Sequence, residues 1–412
     1  MSDIGQSAEC GRRVVVTGRG CVSALGIGVA ELWRALAAGQ GGFRKILPEF
    51  ATDGVERVVA PASSFRGEDH FSEDKLRLLD RNVQMALVAA REAVDGAGDV
   101  FVGERGRRSA IIIGSGIGGM ATLEENYHRL YGLKKDRLHP FTIPRLINNA
   151  ASSHAAIAFG VTGPVLSISS ACSSANHAIG EAFTMIRTGR ADAALAGGTE
   201  ACITWGCLKA WEALRVVSRD VPRPFSAGRG GMVLGEGAGM LVLEALDGAL
   251  ARGAPILAEI IGYGASADAE DMVHPSEEKA ALAIVRALAD AGVHPEAVDY
   301  VNAHGSGTAA NDATETRALK RVFGARATRL PISSTKSMHG HALGASGALE
   351  LIATIEAMRS GLIPPTANFT GRDPECDLDY VPNEARRHDV EIALSNSFAF
   401  GGLNAVLCLK RP

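Results

Sequence analysis

Along the chain, short unbroken apolar runs alternate with longer stretches in which apolar residues recur every three to four positions. The runs at Arg13–Gly20, Ser109–Gly114, Ala193–Thr199, Met240–Leu243, Pro255–Gly264 and Val298–Asn302 predict strands buried on both faces. Helical spacing predicts helices over Gly28–Ala38, Lys75–Gly96 and residues 277–291, and a further helix capped by Asn311–Glu315. Strands alternating with helices define an α/β protein, with a largely parallel sheet expected. Residues 1–11 are small and polar and are expected to fray.

One stretch stands apart. Pro164–Ser174 reads as a buried strand entering a tight turn with Cys172 at its crest, and Ala175, Ile179, Ala182, Phe183 and Ile186 then recur at helical spacing. The thiol therefore sits at a helix N-terminus, where unpaired amides and the helix dipole favour thiolate. A buried structural cysteine fits the position equally well. A repeat argues for chemistry: residues 168–180 match residues 332–344 in Ile, three Ser, His, Ala and Gly at a constant offset of 164, with Lys336 opposite Cys172. Two duplicated halves, 12–254 and 255–412, follow from this. Packed about a pseudo-twofold axis, they would bring Cys172 to the Lys336–His341 segment. Residues 120–163 contain a long polar helix and the segment Phe141–Ala156, which has no second-half counterpart of similar length and is expected to shape a pocket or a subunit contact.

Composition narrows the function. In 412 residues, 46% hydrophobic content with 48 glycines and only 5% aromatic residues suits close helix-on-sheet packing. A net charge of −4 without a block of like charge argues against a nucleic-acid partner. The seven scattered cysteines contain no CxxC pair, which points to a reduced, cytoplasmic protein without a disulfide framework or metal site. No apolar run reaches the roughly 20 residues of a membrane span.

Gly114–Gly119 satisfies GxGxxG directly after a strand, which would suit a dinucleotide. Against that reading, no acidic residue closes a second strand about 20 positions later, so a glycine turn permitting close backbone approach is preferred.

Cys172, His304 at a strand end, His341 in a turn and Lys336 between the histidines form the chemical set. A Cys–His hydrolase needs its imidazole oriented by Asn or Asp, whereas two imidazoles aimed at one carbonyl can stabilise an enolate while a thiolate holds an acyl group. That is the requirement of a decarboxylative carbon–carbon condensation. Here the chain resembles the β-ketoacyl-acyl-carrier-protein synthases of the II type along nearly its whole length. The resemblance rests on Val-Val-Val-Thr-Gly at 14–18, Gly-Ser-Gly-Ile-Gly-Gly at 114–119, Ala-Cys-Ser-Ser at 171–174, Asn-Ala-His-Gly at 302–305, Ser-Thr-Lys-Ser at 334–337, Gly-His at 340–341 and Asn-Ser-Phe-Ala-Phe-Gly-Gly at 396–402.

The resemblance implies a thiolase-type αβαβα five-layer fold, a homodimer, an acyl carrier protein as partner and no cofactor or metal. It implies that Cys172 is the acylated nucleophile, that the amides of Cys172 and Phe400 form its oxyanion hole, and that His304 and His341 bind the malonyl thioester carbonyl. It further implies an ion pair between Lys336 and Glu315, pantetheine contacts at Ser306 and Thr308, an acyl-pocket wall at Ile117, and a gating loop of Phe398, Ala399 and Phe400. Ala399 stands where that loop usually has Gly, Ser306–Gly307 replaces a common Thr-Ser pair, and Leu403 replaces a usual Thr. Residues 201–218 are closer to nodulation-type and specialised-metabolite condensing enzymes than to housekeeping ones. A non-catalytic chain-length partner subunit is the alternative, and retention of Cys172, His304, Lys336 and His341 together argues against it. An acidic carrier predicts a basic docking face, with Lys75, Arg77, Arg129, Lys134, Lys135 and Arg137 as candidates.

Overall fold

The computed structural model describes residues 11–98 and 100–412, so residues 1–10 of the expected polar tail lie outside the described residues. Ten strands carry the fold: β1 (Val14–Ser23), β2 (Ser109–Gly114), β3 (Val165–Ile168), β4 (Ala193–Glu200), β5 (Gly237–Ala245), β6 (Ala258–Ala267), β7 (Tyr300–Asn302), β8 (Ile332–Ser333), β9 (Ile392–Ala399) and β10 (Leu403–Lys410). The helices that matter are α1 (Arg81–Ala97), α2 (Ala150–Phe159), α3 (Ser174–Arg187), α4 (Trp205–Ala213), α5 (Glu277–Ala291), α6 (Ala309–Phe323), α7 (Lys336–His339) and α8 (Ser346–Ser360).

These strands lie in the order β8-β7-β9-β10-β6-β1-β5-β4-β2-β3, and β1 joins β6 through Val14–Ile260 and Val16–Ala258. Counted outward from that join, each half runs first, fifth, fourth, second, third strand, and the senses of pairing match as well. The sheet is mixed and not largely parallel as its apolar runs suggest. Only β4–β2–β3 and β9–β7–β8 pair in parallel. The three-residue connection between β9 and β10 permits only an antiparallel return.

Alternation along the strands separates three cores. On β2, Ala110 and Ile112 face a central core with α3 and α8, while Ile111 and Ile113 face α1 and α2 on one flank. Val301, Leu394 and Val406 face α5 and α6 on the other flank. The result is the five-layer αβαβα arrangement. The central helices are the most enclosed: α8 is buried from Ser346 to Ile355, and each fully buried Leu or Ile there contributes about 1.5–3 kcal/mol. The helix expected over Lys75–Gly96 is broken at Arg77–Asp80, because Asp80 caps α1 by accepting the Asn82 N–H at 3.1 Å and also accepts the Thr122 N–H at 2.8 Å.

The internal repeat is displaced from its sequence register. An offset of 164 fits the strands β3 and β8, but α7 is an extra turn after β8, and α3 and α8 start at Ser174 and Ser346. A short 3₁₀ turn precedes each of these helices, at Ala171–Ser173 and Leu343–Ala345, and each turn opens on a non-glycine residue in the left-handed region, Ala171 at φ 51° and Leu343 at φ 40°. The residue placed like Cys172 is therefore Gly344, and Lys336 belongs to the inserted turn.

Candidate active site

The elements converge on a cavity of about 390 Å³ whose lining includes Cys172, His304, His341, Phe398, Ala399 and Phe400. Cys172 arrives there on its 3₁₀ turn. Ser174 Oγ ties that turn by donating to the Ala171 carbonyl at 2.7 Å and accepting the Ser170 N–H at 2.9 Å. Gly114 allows α3 to start so close, since a Cβ there would lie 2.4 Å from the Ser174 carbonyl carbon. This explains the glycine motif: Gly116 and Ile117 donate their amides to Glu200 at 2.7 and 3.3 Å, and the turn serves packing and not a dinucleotide.

His304 lies two residues past the end of β7, and the next residue, Gly305, turns at φ 40°. The Glu315 carboxylate on α6 fixes this corner by accepting the amides of His304 at 2.9 Å and Gly305 at 2.8 Å, and a further hydrogen bond from Asn396 at 3.2 Å. Glu315 is thus not the ion-pair partner of Lys336. That partner is Glu350 on the buried central helix, directly across from the Lys336 ammonium. The four-carbon stem of Lys336 runs inward to α8, and both oxygens of Glu315 are already turned to amides.

Lys336 Nζ also donates to the His304 carbonyl at 2.6 Å and lies 3.3 Å from His304 Nδ1. An ammonium can only donate, so Nδ1 accepts and the ring proton is on Nε2. His341 is pinned to the glycine-rich segment before β5: its N–H donates to Val233 O at 2.7 Å and its carbonyl accepts from Gly235 at 2.9 Å. His341 Nδ1 lies 2.9 Å from Ser346 Oγ at the start of α8, a hydroxyl able to donate to it and leave the ring proton on Nε2. The two rings stand edge to face with centroids 5.4 Å apart. Burial, then the Lys336 charge, holds both imidazoles well below their ordinary pKa, so both are neutral donors at pH 7.

Burial also pushes the Cys172 thiol up to about 11, outweighing the Lys336 charge and the amides of Phe400 and of Cys172 itself, which act on the sulphur as donors. The resting group is a thiol, not the thiolate that its helix-end position suggests. Phe398 lies 6.2 Å from the His304 ring. Ser306 and Thr308 also line the cavity, their hydroxyls 2.9 Å apart. Ala399 pairs with Leu403 outside the left-handed region, while Gly401 and Gly402 turn at φ 81° and 68°. Ile117 does not line the cavity: with its amide turned in to Glu200, its side chain is exposed on the single chain. No His/Cys/Asp/Glu group suited to a metal occurs among the described residues, and no helix among them is long and apolar enough to cross a membrane.

Sequence reasoning missed Glu350 and Glu200. Both had a signal: Glu350 interrupts the apolar run of α8, and Glu200 closes an otherwise apolar strand. A carboxylate in such a place is buried and needs donors.

A thiol facing two amide donors and two neutral imidazoles, on a thiolase-type fold, defines an acyl-transferring condensing enzyme. Residues 11–249 match the beta-ketoacyl synthase N-terminal domain and residues 257–370 the C-terminal domain. The chain belongs to the beta-ketoacyl synthase family. It is 46% identical to "Nodulation protein E" of Rhizobium leguminosarum bv. trifolii, over 97% of this chain and 99% of that one. It is 43% identical to "3-oxoacyl-[acyl-carrier-protein] synthase 2" of Coxiella burnetii (strain RSA 493 / Nine Mile phase I), again over 97% and 99%. Among solved structures, "The ishigamide ketosynthase/chain length factor" superposes with a TM-score of 0.92 at 37% identity, covering 98% of this chain and 100% of that one.

Proposed function

We propose that the protein is a 3-oxoacyl-[acyl-carrier-protein] synthase that elongates a carrier-bound acyl chain by two carbons from malonyl-carrier protein. The observation that carries this reading is the convergence of Cys172, His304 and His341 on one cavity, with donors facing the sulphur and both imidazoles neutral. In the first step Cys172 attacks the acyl thioester, the amides of Cys172 and Phe400 hold the oxyanion, and the departing pantetheine thiolate takes the cysteine proton. In the second, His304 and His341 donate from Nε2 to the malonyl thioester carbonyl, so the C–C bond to the carboxylate breaks, CO2 leaves and the electron pair resides in the enolate. Its carbon attacks the acyl group on Cys172, and the C–S bond breaks to free the thiolate, which takes up a proton. Ser306 and Thr308 would contact the pantetheine arm.

Residues 12–254 supply the nucleophile and residues 255–412 the histidines and the lysine in this reading. The exposed apolar residues of the 120–163 segment, including Tyr127, Tyr131, Phe141 and Ile143, support a homodimer in which Ile117 becomes covered. A chain-length subunit without chemistry of its own would have no use for the ordered Lys336–His304 contacts.

Cys172→Ala should abolish acyl transfer yet leave decarboxylation of malonyl-carrier protein, whereas His304→Ala or His341→Ala should impair decarboxylation itself. Acyl-enzyme mass and CO2 release read the two steps separately, and loss of decarboxylation in folded Cys172→Ala would overturn the assignment of roles.

A further inference from the structure

The Phe400 amide is carried on a hairpin tip whose main-chain ties to the rest of the protein are made by the two glycines that follow it. Phe400 is the first of three residues joining Ala399 to Leu403, and the two that follow are glycines in the left-handed region. The Gly402 N–H to Ala399 O bond at 3.0 Å closes the turn around Phe400, and the ties to the rest of the chain, Gly401 N–H to Met272 O and Asp268 N–H to Gly402 O, both at 2.9 Å, are made by the two glycines. The Phe400 side chain is held instead by a face-to-face stack on Trp211, with ring centroids 5.6 Å apart and planes 20° apart.

Trp211 sits on a fixed platform. At the N-terminus of α4, Glu124 accepts the amides of Trp205 at 2.8 Å and Gly206 at 2.5 Å. Near its C-terminus, Glu212 takes a 2.8 Å hydrogen bond from the buried Arg57, which Asp53 clamps from the other side. Trp211 lines the same cavity as Cys172, and it falls in the 201–218 segment whose distinctive sequence the reaction scheme leaves without a role.

We propose that Trp211 is a positioning residue for acyl transfer, holding the Phe400 ring so that the Phe400 amide stays aimed at Cys172. This rests on the condensing-enzyme reading for its substrate, though not for its geometry. An aromatic plane at 211 is what the role needs, so phenylalanine should serve and an aliphatic residue of similar bulk should not.

Trp211→Leu and Trp211→Phe are compared with the unaltered protein in three assays. Acylation of Cys172 by acyl-carrier protein, followed by intact mass, should slow about tenfold in Trp211→Leu and by less than about threefold in Trp211→Phe. The pH profile of iodoacetamide alkylation of Cys172 should move to higher pH in Trp211→Leu alone, because a donor to the sulphur is lost. Malonyl decarboxylation, measured in a Cys172→Ala background, should be unchanged by Trp211→Leu, since the histidines stand on other elements. Wild-type acylation in Trp211→Leu, equal slowing in both variants, or a parallel fall in decarboxylation would each overturn the proposal. If the unaltered protein accepts no acyl group from any carrier, the functional reading fails, and the alkylation profile still decides whether Trp211 governs the thiol.

Discussion

Lys336 Nζ donates to the main-chain oxygen of His304 at 2.6 Å while facing Nδ1 of the same residue at 3.3 Å, so one buried cation fixes both the position and the tautomer of the ring. Its own charge is balanced by Glu350. Lys336→Met should therefore remove decarboxylation and also destabilise the fold by about 3–5 kcal/mol, because it strands a buried carboxylate. The double variant Lys336→Met with Glu350→Met should regain much of that stability without regaining decarboxylation. Urea unfolding and CO2 release together check the split.

The neutral imidazoles set the acid side of the pH profile. Decarboxylation in Cys172→Ala should hold its rate through pH 6.5, the ordinary histidine value, since both rings stay unprotonated there. Stability runs with the same sign: a histidine whose folded pKa is depressed binds its proton more readily when unfolded, so stability is lost as pH falls below about 6.5. A rate that halves near pH 6.5 would show that a ring is ordinary.

Glu200 gives the opposite slope. Burial pushes its carboxyl from 4.5 up to about 7, against the amides of Gly116, Gly344 and Ile117. The folded state then holds a proton that the unfolded state has lost, so this contribution is full below about pH 4.5 and disappears as pH rises to about 7. The stability difference between the unaltered protein and Glu200→Gln should therefore fall by up to about 1.4 kcal/mol per pH unit across that window and be flat above it. Denaturant titrations at several pH values measure this directly.

Ala399 is in extended backbone paired with Leu403, a conformation alanine adopts freely. Ala399→Gly should accordingly cost about 0.5–1 kcal/mol of stability and leave loading of long acyl chains on Cys172 no faster. Accelerated loading of long chains alone would show that the alanine restrains the gate.

Lys134, Lys135 and Arg137 are exposed in the segment between β2 and α2, and Arg77, just before α1, is exposed though paired with Glu73. If the Lys134–Arg137 segment docks an acidic carrier, affinity should fall steeply with ionic strength, and reversing Lys134 and Lys135 to Glu should weaken it about tenfold or more at low salt. Salt-independent affinity would rule the face out.

Strand and helix positions were legible wherever apolar periodicity was strong: Ser109–Gly114 and residues 277–291 stand at the predicted bounds. The places of Cys172 and His304 were legible too, because each follows a strand at a turn. Pairing across the core was not legible. Glu315 and Glu350 each share a helix with a second carboxylate, Asp312 and Glu356, and only the fold decides which one meets Lys336. The repeat offset misled for a related reason: identities cluster in the strands, whereas the inserted turn α7 moves the helix starts by eight residues. The direction of the Cys172 shift likewise depends on enclosure, which no local pattern states.

Ala171 and Leu343 are one piece of backbone used twice, once to present an atom and once to leave one out. At Gly344 a Cβ would meet the Gly116 nitrogen at 2.5 Å and Glu200 Oε2 at 2.7 Å, so the second crest has no room for any side chain. The stoichiometry of the chain is therefore written into its symmetry. A thiol grafted onto the twin turn would press against the Glu200 clasp, so this chain has room for a side chain at only one of its two crests.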